Sequence, residues 1–280
     1  MKIKIMSDST CDLSNDIVEK YNIGIVPLVI VKGGQSHTDG VDITPSDIFA
    51  HVAAGNDLCS TAALSVGEYQ DHFAKYANEY DGILHINISS EFSSSYQNAC
   101  LAAEEFDNVR VVDSRNLSTG QGLVVLKACE LAQTCTDLDS LKQELDAFTG
   151  KVEASFLLDQ LKYMVKGGRC SAVVALGANL LNLKPCIEVK DGKMSVVKKY
   201  RGNYAKCLAN YVSDRLSNRD DLDHGTLFVT RTPVSDDCLQ AVEEAVAKCN
   251  VFENTYWTEA GCTVSCHCGP GTLGVLFVRK

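Results

Sequence analysis

The sequence predicts an α/β protein of two domains, a parallel-sheet α/β/α domain followed by a mixed-sheet α/β domain. In the first half of the 280-residue chain, apolar β-branched runs alternate with amphipathic segments, and strands separated by helices form parallel sheets. After residue 150 the pattern changes, and Asp191-Gly192 between two apolar runs favours a β-hairpin. The length also suits two domains better than one. We expect an N-terminal domain over residues 1–150 and a C-terminal domain over residues 151–280.

Capping signals and apolar runs place the elements of the first half. Thr44-Pro45-Ser46-Asp47 and Ser65-Val66-Gly67-Glu68 are capping boxes, each of which predicts the start of a helix. Aromatic residues at helical spacing follow the second box, at Tyr69, Phe73, Tyr76 and Tyr80. The predicted strands are Lys2–Met6, Gly24–Val31, Gly82–Ile88 and Val109–Val112. The other predicted helices are Asp16–Tyr21, Ser93–Phe106, Ser118–Ala132 and Leu138–Phe148.

The second half mixes a hairpin with alternating helices and strands. The predicted strands are Val152–Leu158, Cys186–Val189, Met194–Lys198, Thr226–Thr230, Val251–Trp257 and Leu273–Val278. The predicted helices are a short one broken by Gly167-Gly168, then Ser171–Leu181, Tyr204–Leu216 and Asp236–Cys249. An antiparallel hairpin beside helices predicts a mixed sheet for this domain.

Charge and hydropathy exclude several function classes. The chain has 26 Lys and Arg against 36 Asp and Glu, a net charge of −10. Such a balance argues against nucleic-acid binding and against a polybasic membrane anchor, because both need clustered cations. No apolar run approaches the ~18 residues of a membrane span, so we expect no stable membrane insertion. The opening MKIKIMSDST lacks the apolar block of a signal peptide, so we expect a cytoplasmic protein.

The thirteen cysteines are predicted to be free thiols that pack as small apolar residues, since no C-x-x-C pair occurs. Cys262, Cys266, His267 and Cys268 could contribute to a zinc site, but no second ligand pair accompanies them. On a strand His267 would also face away from Cys266 and Cys268. We therefore predict no metal site.

One glycine-rich stretch matches a cofactor motif by spacing alone. GPGTLG, from Gly269 to Gly274, fits G-x-G-x-x-G, but a single strand and no helix follows it. The dinucleotide motif must open a helix whose N-terminus meets the pyrophosphate. We interpret the stretch as a turn into the last strand, and no cofactor is expected.

Polar residues gather where the predicted parallel strands end, at Ser7–Thr10, Ser89-Ser90 and Asp113-Ser114. Ligands of open parallel sheets bind at this edge. The run Ser89–Ser95 places hydroxyl groups at a strand end and at a helix N-terminus together. Because hydroxyls, backbone N–H groups and the helix dipole all favour negative charge, this run predicts an anion site.

Several stretches of the chain resemble the DegV family of bacterial fatty-acid-binding proteins. The matching stretches are SDSTCDL (Ser7–Leu13), ISSEFSSSYQNA (Ile88–Ala99), KGGR (Lys166–Arg169) with NLKPCIEVKDGK (Asn182–Lys193), and HCGPGTLGV (His267–Val275), and Asp113-Ser114 with Gly120-Gln121-Gly122 also fits. They span the whole chain in the family's order.

The resemblance implies a two-domain protein that binds one long-chain fatty acid at a site between the domains. The acyl chain would fill an apolar tunnel, and hydrogen bonds would hold the carboxylate. An ATP-binding fatty acid kinase subunit would then phosphorylate the carboxylate, and the acyl phosphate would enter phospholipid synthesis. The binding subunit would itself be non-catalytic, in agreement with a sequence that contains no P-loop.

The resemblance also implies the residues that bind the carboxylate. Ser93 matches the hydroxyl of the serine-rich turn, His267 precedes Gly-Pro-Gly, and Arg169 is the arginine of Gly-Gly-Arg. The family usually has Thr-Ser-Gln-Pro where this chain has Ser60-Thr61-Ala62-Ala63, so Ser60 aligns with the family's threonine and Thr61 is its neighbour. Both stay candidates. Further candidates for the lining of the site are Ser94, Gly168 and Gly269.

The residue types suit such a ligand. Each buried CH₂ contributes about 0.8 kcal/mol of affinity, and hydroxyls and an imidazole supply the donors that a buried carboxylate needs. The alternative is an acyl-transfer or esterase enzyme with Ser93 as nucleophile, His267 as base, and Asp8 or Asp113 to orient the imidazole. The chain has no nucleophile elbow, which disfavours this alternative. Chain length, saturation and oligomeric state depend on side-chain positions that the sequence does not reveal.

Overall fold

The computed structural model describes residues 1–176, 183–249 and 251–280. The described residues form thirteen strands: β1 (Ile3–Asp8), β2 (Gly24–Val26), β3 (Val29–Lys32), β4 (Gln35–Thr38), β5 (Ser60–Ala62), β6 (Gly82–Asn87), β7 (Val109–Asp113), β8 (Val152–Leu157), β9 (Leu183–Lys190), β10 (Lys193–Arg201), β11 (Leu222–Arg231), β12 (Asn254–Glu259) and β13 (Leu273–Arg279). They also form eleven α-helices: α1 (Asn15–Lys20), α2 (Pro45–Ala53), α3 (Val66–Ala77), α4 (Ser95–Ala103), α5 (Ser118–Ala132), α6 (Leu138–Thr149), α7 (Lys162–Gly167), α8 (Ser171–Leu176), α9 (Tyr204–Leu216), α10 (Asp236–Cys249) and α11 (Cys262–Cys268).

The first large sheet is parallel throughout, in the order β2-β1-β6-β7. Helices α3 and α4 bury Tyr69, Phe73 and Ala99 on one of its faces. Helices α5 and α6 bury Leu123 and Leu141 in a different core cluster. The predicted α/β/α layering is therefore confirmed.

The second large sheet has the order β10-β9-β8-β13-β11-β12 and is mixed, as predicted. Only the β11–β12 pair is parallel; the other four pairs are antiparallel. Helices α9 and α10 pack on one face through residues such as Tyr211 and Val242. Residues of the other face, including Ala154 and Phe156, share a core cluster with α5. Each large sheet lies within one half of the chain, and the exact boundary at residue 150 stays a prediction.

The predicted strand Gly24–Val31 is wrong as a single element. Pro27 divides it, because proline has no N–H for a strand ladder and fixes its own φ. Residues before Pro27 form β2 in the parallel sheet, and those after it form β3, which pairs antiparallel with β4 and β5. This three-stranded sheet was not predicted, since β4 and β5 are short and largely polar. The Gly33-Gly34 turn between β3 and β4 is confirmed, with positive φ at both glycines.

Several other boundaries shift. Both capping boxes form, but α3 ends at Ala77, so Tyr80 lies beyond the helix. The helix predicted from Ser93 begins at Ser95, and the last but one strand begins at Asn254 instead of Val251. Of the predicted helix Ser171–Leu181, the structure describes α8, and residues 177–181 lie outside the described residues.

The segment Cys262–Cys268 is a helix, α11, so the strand geometry considered for Cys266, His267 and Cys268 does not apply. Its sequence shows no helical alternation of apolar and polar residues, because the helix is only 7 residues long and nearly all of its residues are buried. The turn interpretation of GPGTLG is confirmed: Gly269 and Gly271 have positive φ, and β13 follows. Asp191-Gly192 also turns the predicted hairpin, with φ of 51° and 80°, which suits a type I′ turn.

Candidate functional site

A cavity opens between the strand-end loops of the parallel sheet and helix α11. It encloses about 680 Å³ of atom-free space, part of which is open to solvent. Its apolar walls include Leu28, Ile88, Phe92, Leu117, Met194 and Val264. Its polar wall consists of Thr61, Ser93, Ser94, Arg169, Thr263 and His267. Polar groups are thus gathered in a mostly apolar recess, an arrangement typical of small-molecule sites.

A second cavity adjoins the first and encloses about 380 Å³ of atom-free space, part of which is open to solvent. Leu117, Val264 and Cys268 line both cavities. The second lies against β8, β11 and β13 of the mixed sheet, where Ala154 and Phe156 form part of its wall. Its hydroxyl-bearing residues are bonded within the protein, so the space itself is largely apolar: Thr230, for example, bonds to two other threonines. The two cavities therefore share part of an apolar wall.

Thr61 and His267 meet at the wall of the first cavity. Thr61 Oγ1 lies 2.9 Å from His267 Nε2, although 206 residues separate them in the chain. Thr61 is in β5, where successive side chains point to opposite sides, so Ser60 is exposed and does not line the cavity. Of the two candidates that the sequence left open, Thr61 lines the cavity and Ser60 does not, and the carboxylate contact itself stays a prediction.

His267 is neutral near pH 7. Burial, with a smaller contribution from the positive charge of Arg169, lowers its pKa to about 4. Its Nδ1 has no hydrogen-bond partner among the described residues. A Cβ added at Gly167 would overlap this nitrogen, so glycine is needed at the end of α7 for the imidazole to fit.

Ser93 and Ser94 reach the same cavity from the start of α4. Ser93 Oγ accepts a hydrogen bond from the backbone N–H of Ser95 at 3.1 Å and lies 2.9 Å from Ser95 Oγ. The serine therefore caps the helix and faces the recess at once. The predicted grouping of hydroxyls at a strand end and a helix N-terminus is present here.

Arg169 stands at the cavity mouth and is exposed. Its Nη1 donates to the carbonyl of Gly167 at 2.7 Å, and its Nε donates to the carbonyl of Phe92 at 3.3 Å. The guanidinium thus joins the end of α7 to the loop that carries Ser93. It is a permanent cation beside the polar wall.

The other two predicted lining residues have turn roles instead. Gly168 ends α7 with a φ of 68°, a left-handed conformation that glycine adopts without strain. Gly269 has a φ of 75°, and a Cβ there would overlap the ring of Tyr163. Neither glycine lines the cavity.

Sequence reasoning missed much of the wall. Thr263, Val264 and Cys268 line the first cavity from α11, whose helical nature was not recognised. Leu28 reaches it from the loop after Pro27. The one available signal was the helical spacing of Val264 and Cys268, four residues apart.

Two alternative hypotheses, an acyl-transfer or esterase enzyme and a metal site, require groups that the described residues do not bring together. Asp8 accepts hydrogen bonds from Asn87, Gln121 and the N–H of Ile88, and Asp113 accepts from Ser90. Neither carboxylate bonds to His267, so the orienting group of a catalytic triad is missing from the part of the chain that the structure describes. Among the same residues, no group of three potential metal ligands lies together. All thirteen cysteines fall within the described ranges and are free thiols, ten of them buried.

Comparison with known proteins decides the family. A model of the family described as "Uncharacterised protein, DegV family" matches residues 2–280. The chain belongs to the DegV family. A DegV domain-containing protein of Clostridium acetobutylicum is 34% identical over 284 residues, which cover 100% of this chain and 99% of that protein.

Solved DegV structures share the fold over their full length. A DegV family protein of Thermus thermophilus, described by its fatty acid binding, superposes with a TM-score of 0.89 at 28% identity, covering 100% of both chains. A stearic acid-binding protein of Eubacterium ventriosum superposes with a TM-score of 0.84 at 26% identity, covering 99% of this chain and 98% of that one. Within the ranges that the structure describes, no helix is long and apolar enough to cross a membrane.

Proposed function

We propose that this protein binds one long-chain fatty acid, with the carboxylate at the polar wall of the first cavity and the acyl chain in the two adjoining cavities. The observation that carries the proposal is the Thr61–His267 pair on the wall of an apolar recess that shares part of its lining with a second apolar space. The Thermus and Eubacterium relatives, both described as fatty-acid binders, share the fold that builds this recess.

The head group would be bound by neutral donors. In the neutral tautomer that carries its proton on Nε2, His267 would donate to Thr61 Oγ1, which would leave the hydroxyl proton of Thr61 free to donate to a carboxylate. Ser93 offers a second hydroxyl from the opposite element. Hydrogen bonds to a charged group contribute about 1.5–3 kcal/mol each, and the acyl chain contributes about 0.8 kcal/mol per buried CH₂. The acyl chain would supply most of the affinity, and the hydrogen bonds to the carboxylate would orient the ligand.

The protein would serve as a cytoplasmic, non-catalytic subunit that presents the carboxylate to an ATP-binding fatty acid kinase subunit. The acyl phosphate so formed would enter phospholipid synthesis. The exposed Arg169 beside the polar wall supports this role, since a cation there would stabilise the negative charge that phosphorylation adds. Holding the head with hydroxyls instead of an ion pair would leave the carboxylate oxygen nucleophilic.

Native mass spectrometry of the protein purified from cells tests the binding. We expect an added mass of one long-chain fatty acid, which exchanges for added stearic acid. A protein that is ligand-free and does not take up stearic acid contradicts the proposal. The kinase role is tested separately, by ATP-dependent formation of acyl phosphate only when a kinase subunit is added.

A further inference from the structure

Helix α11 carries much of the candidate site but has no cap of its own. It supplies Thr263, Val264, His267 and Cys268 to the first cavity. Its N-cap residue is Gly261, which has no side chain. The first N–H groups of a helix need acceptors, so a buried helix such as this must take them from elsewhere in the fold.

Asp39, at the end of β4, supplies those acceptors. Its Oδ1 accepts from the N–H of Cys262 at 3.0 Å, and its Oδ2 accepts from the N–H and the hydroxyl of Thr263 at 3.2 and 2.7 Å. Asp39 is only 5% exposed and lies 223 residues from Cys262 in sequence. A carboxylate of the N-terminal half thus caps a helix of the C-terminal half, where its charge also suits the helix dipole.

A neighbouring carboxyl group holds the residue before the helix. Asp12 Oδ1 accepts from the N–H of Gly261 at 2.9 Å, and Ser118 Oγ lies 2.5 Å from Asp12 Oδ2. A Cβ on Gly261 would lie 3.0 Å from Asp12 Oδ1. The glycine that removes the local cap is therefore also the residue that lets the Asp12 carboxyl group approach.

Residues at β4 and β5 of the three-stranded sheet form hydrogen bonds with both ends of α11. Asp39 follows β4 and caps the first turn, whereas Thr61 of β5 bonds to His267 in the last turn. β4 and β5 are both paired with β3, so their spacing is set by one sheet. Ile30 of β3 and Cys262 of α11 also pack together in one apolar cluster.

We propose that Asp39 is a positioning residue for the carboxylate site. By capping α11 across the two halves of the chain, it sets the helix so that His267 meets Thr61 at the cavity wall. The inference rests on the proposed fatty acid site. It adds that head-group recognition depends on a buried carboxylate that does not itself touch the ligand.

The test compares Asp39→Ala and Asp39→Asn with a matched pair, Asp137→Ala and Asp137→Asn. Asp137 is the N-cap residue of α6 and is exposed; its Oδ2 accepts from the N–H and the hydroxyl of Ser140 at 2.8 and 2.6 Å, and it is not part of the cavity wall. Two quantities are measured for each protein: the ratio of its affinities for stearic acid and stearyl alcohol, which share a tail, and the titration of His267 by NMR in ligand-free protein.

We expect Asp39→Ala to lower the acid-to-alcohol affinity ratio at least about tenfold, the loss of one hydrogen bond to a charged head. We also expect the pKa of His267 to rise from about 4 towards its ordinary 6.5, because the imidazole becomes hydrated. Asp39→Asn, which keeps the shape and one acceptor, should fall between. The Asp137 variants should lower thermal stability and leave both quantities as in the wild type.

Equal ratios and equal His267 titrations in the Asp39 and Asp137 variants would overturn the inference. Should Asp39→Ala not fold, Asp39→Asn carries the comparison. The two proposals fail in different ways. A wild type that binds neither stearic acid nor its alcohol contradicts the fatty acid site, and the His267 titration of ligand-free protein still decides whether Asp39 positions the imidazole.

Discussion

Two histidines with lowered pKa values occupy different settings in this fold. His267 sits at the cavity wall and has Thr61 as a partner. His85, in β6, is fully buried between the rings of Tyr69 and Phe73, and neither of its nitrogens has a hydrogen-bond partner among the described residues. Burial, with a smaller contribution from the charge of nearby His72, lowers the pKa of His85 to about 3. His267 is thus a candidate for ligand contact, whereas His85 belongs to the core.

At the residue scale, Ser93→Ala and Thr61→Val should each weaken fatty acid binding. The loss of a hydrogen bond to a charged head is expected to cost about 1.5–3 kcal/mol, or roughly ten- to a hundredfold in affinity. Isothermal titration with stearic acid measures this. Ser60→Ala is the control, because Ser60 is exposed and off the cavity wall. Unchanged affinity in both site variants would show that the head group lies elsewhere.

His85 should make the protein less stable in acid. The pKa of His85 is about 3 in the folded protein, below its ordinary value of 6.5. Below pH 6.5, the imidazole therefore binds a proton in the unfolded chain but not in the folded one. The resulting decrease in the free energy of unfolding grows as the pH falls and reaches about 2 kcal/mol at pH 5. Urea unfolding at pH 7.5 and pH 5 should show His85→Phe losing about that much less stability than the wild type.

The control for this comparison is His224→Gln, at an exposed histidine. It should follow the wild type at both pH values. A His85→Phe variant with the same pH dependence as the wild type would mean that this imidazole is not the group that titrates.

At the scale of elements, short segments with ambiguous sequence patterns supply the residues of the candidate site. α11 and β5 are only 7 and 3 residues long, yet they bring His267 and Thr61 together. Long, strongly patterned elements such as α5 and α9 are where the sequence places them, at Ser118–Ala132 and Tyr204–Leu216. Short elements take their conformation from their neighbours, because tertiary contacts outweigh local propensity there.

Gly167 tests the contact between α7 and α11. A Cβ at this position would overlap His267 Nδ1, so Gly167→Ala should displace the imidazole and weaken stearic acid binding about tenfold or more. Gly67→Ala in α3 is the matched control, since a Cβ there meets no atom within 4 Å. It should stabilise the protein by about 0.5–1 kcal/mol and leave binding unchanged. Thermal unfolding and titration are run on both variants, and equal affinities would contradict the predicted contact.

At the scale of the whole molecule, α5 is central. Its residues from Ser118 to Val125 are all buried, because it packs against the parallel sheet and the mixed sheet together. A Cβ at Gly122 would lie 2.9 Å from the carbonyl of Cys11, so the small residue allows this close approach. The second cavity lies between the start of this helix and the mixed sheet, where Ser118 and Phe156 line it.

The second cavity should set the longest acyl chain that binds well. In the wild type we expect affinity to rise about fifteenfold for each two added CH₂ groups while apolar space remains. Ala260 is 4% exposed and lines this cavity, so Ala260→Leu should remove the gain for the longer chains and leave short ones unaffected. Affinities for saturated acids of 10 to about 18 carbons measure this.

Ala53→Leu, at an exposed position near the end of α2, is the control for a larger side chain. It should keep the wild-type dependence on chain length. If Ala260→Leu also keeps that dependence while remaining folded, the acyl chain does not enter the second cavity.

The sequence alone determined the α/β class, the parallel and mixed sheets, and most long elements, because periodicity and capping are local properties of the chain. Through its motifs it also pointed to Ser93, Arg169 and His267. Only the tertiary structure showed that Thr61 lines the cavity and Ser60 does not, because the lining depends on how β5 lies against α11. It also revealed the separate sheet after Pro27 and the cap that Asp39 places on α11. The Thr61–His267 contact and the Asp39 cap join residues more than 200 positions apart, which no local pattern encodes.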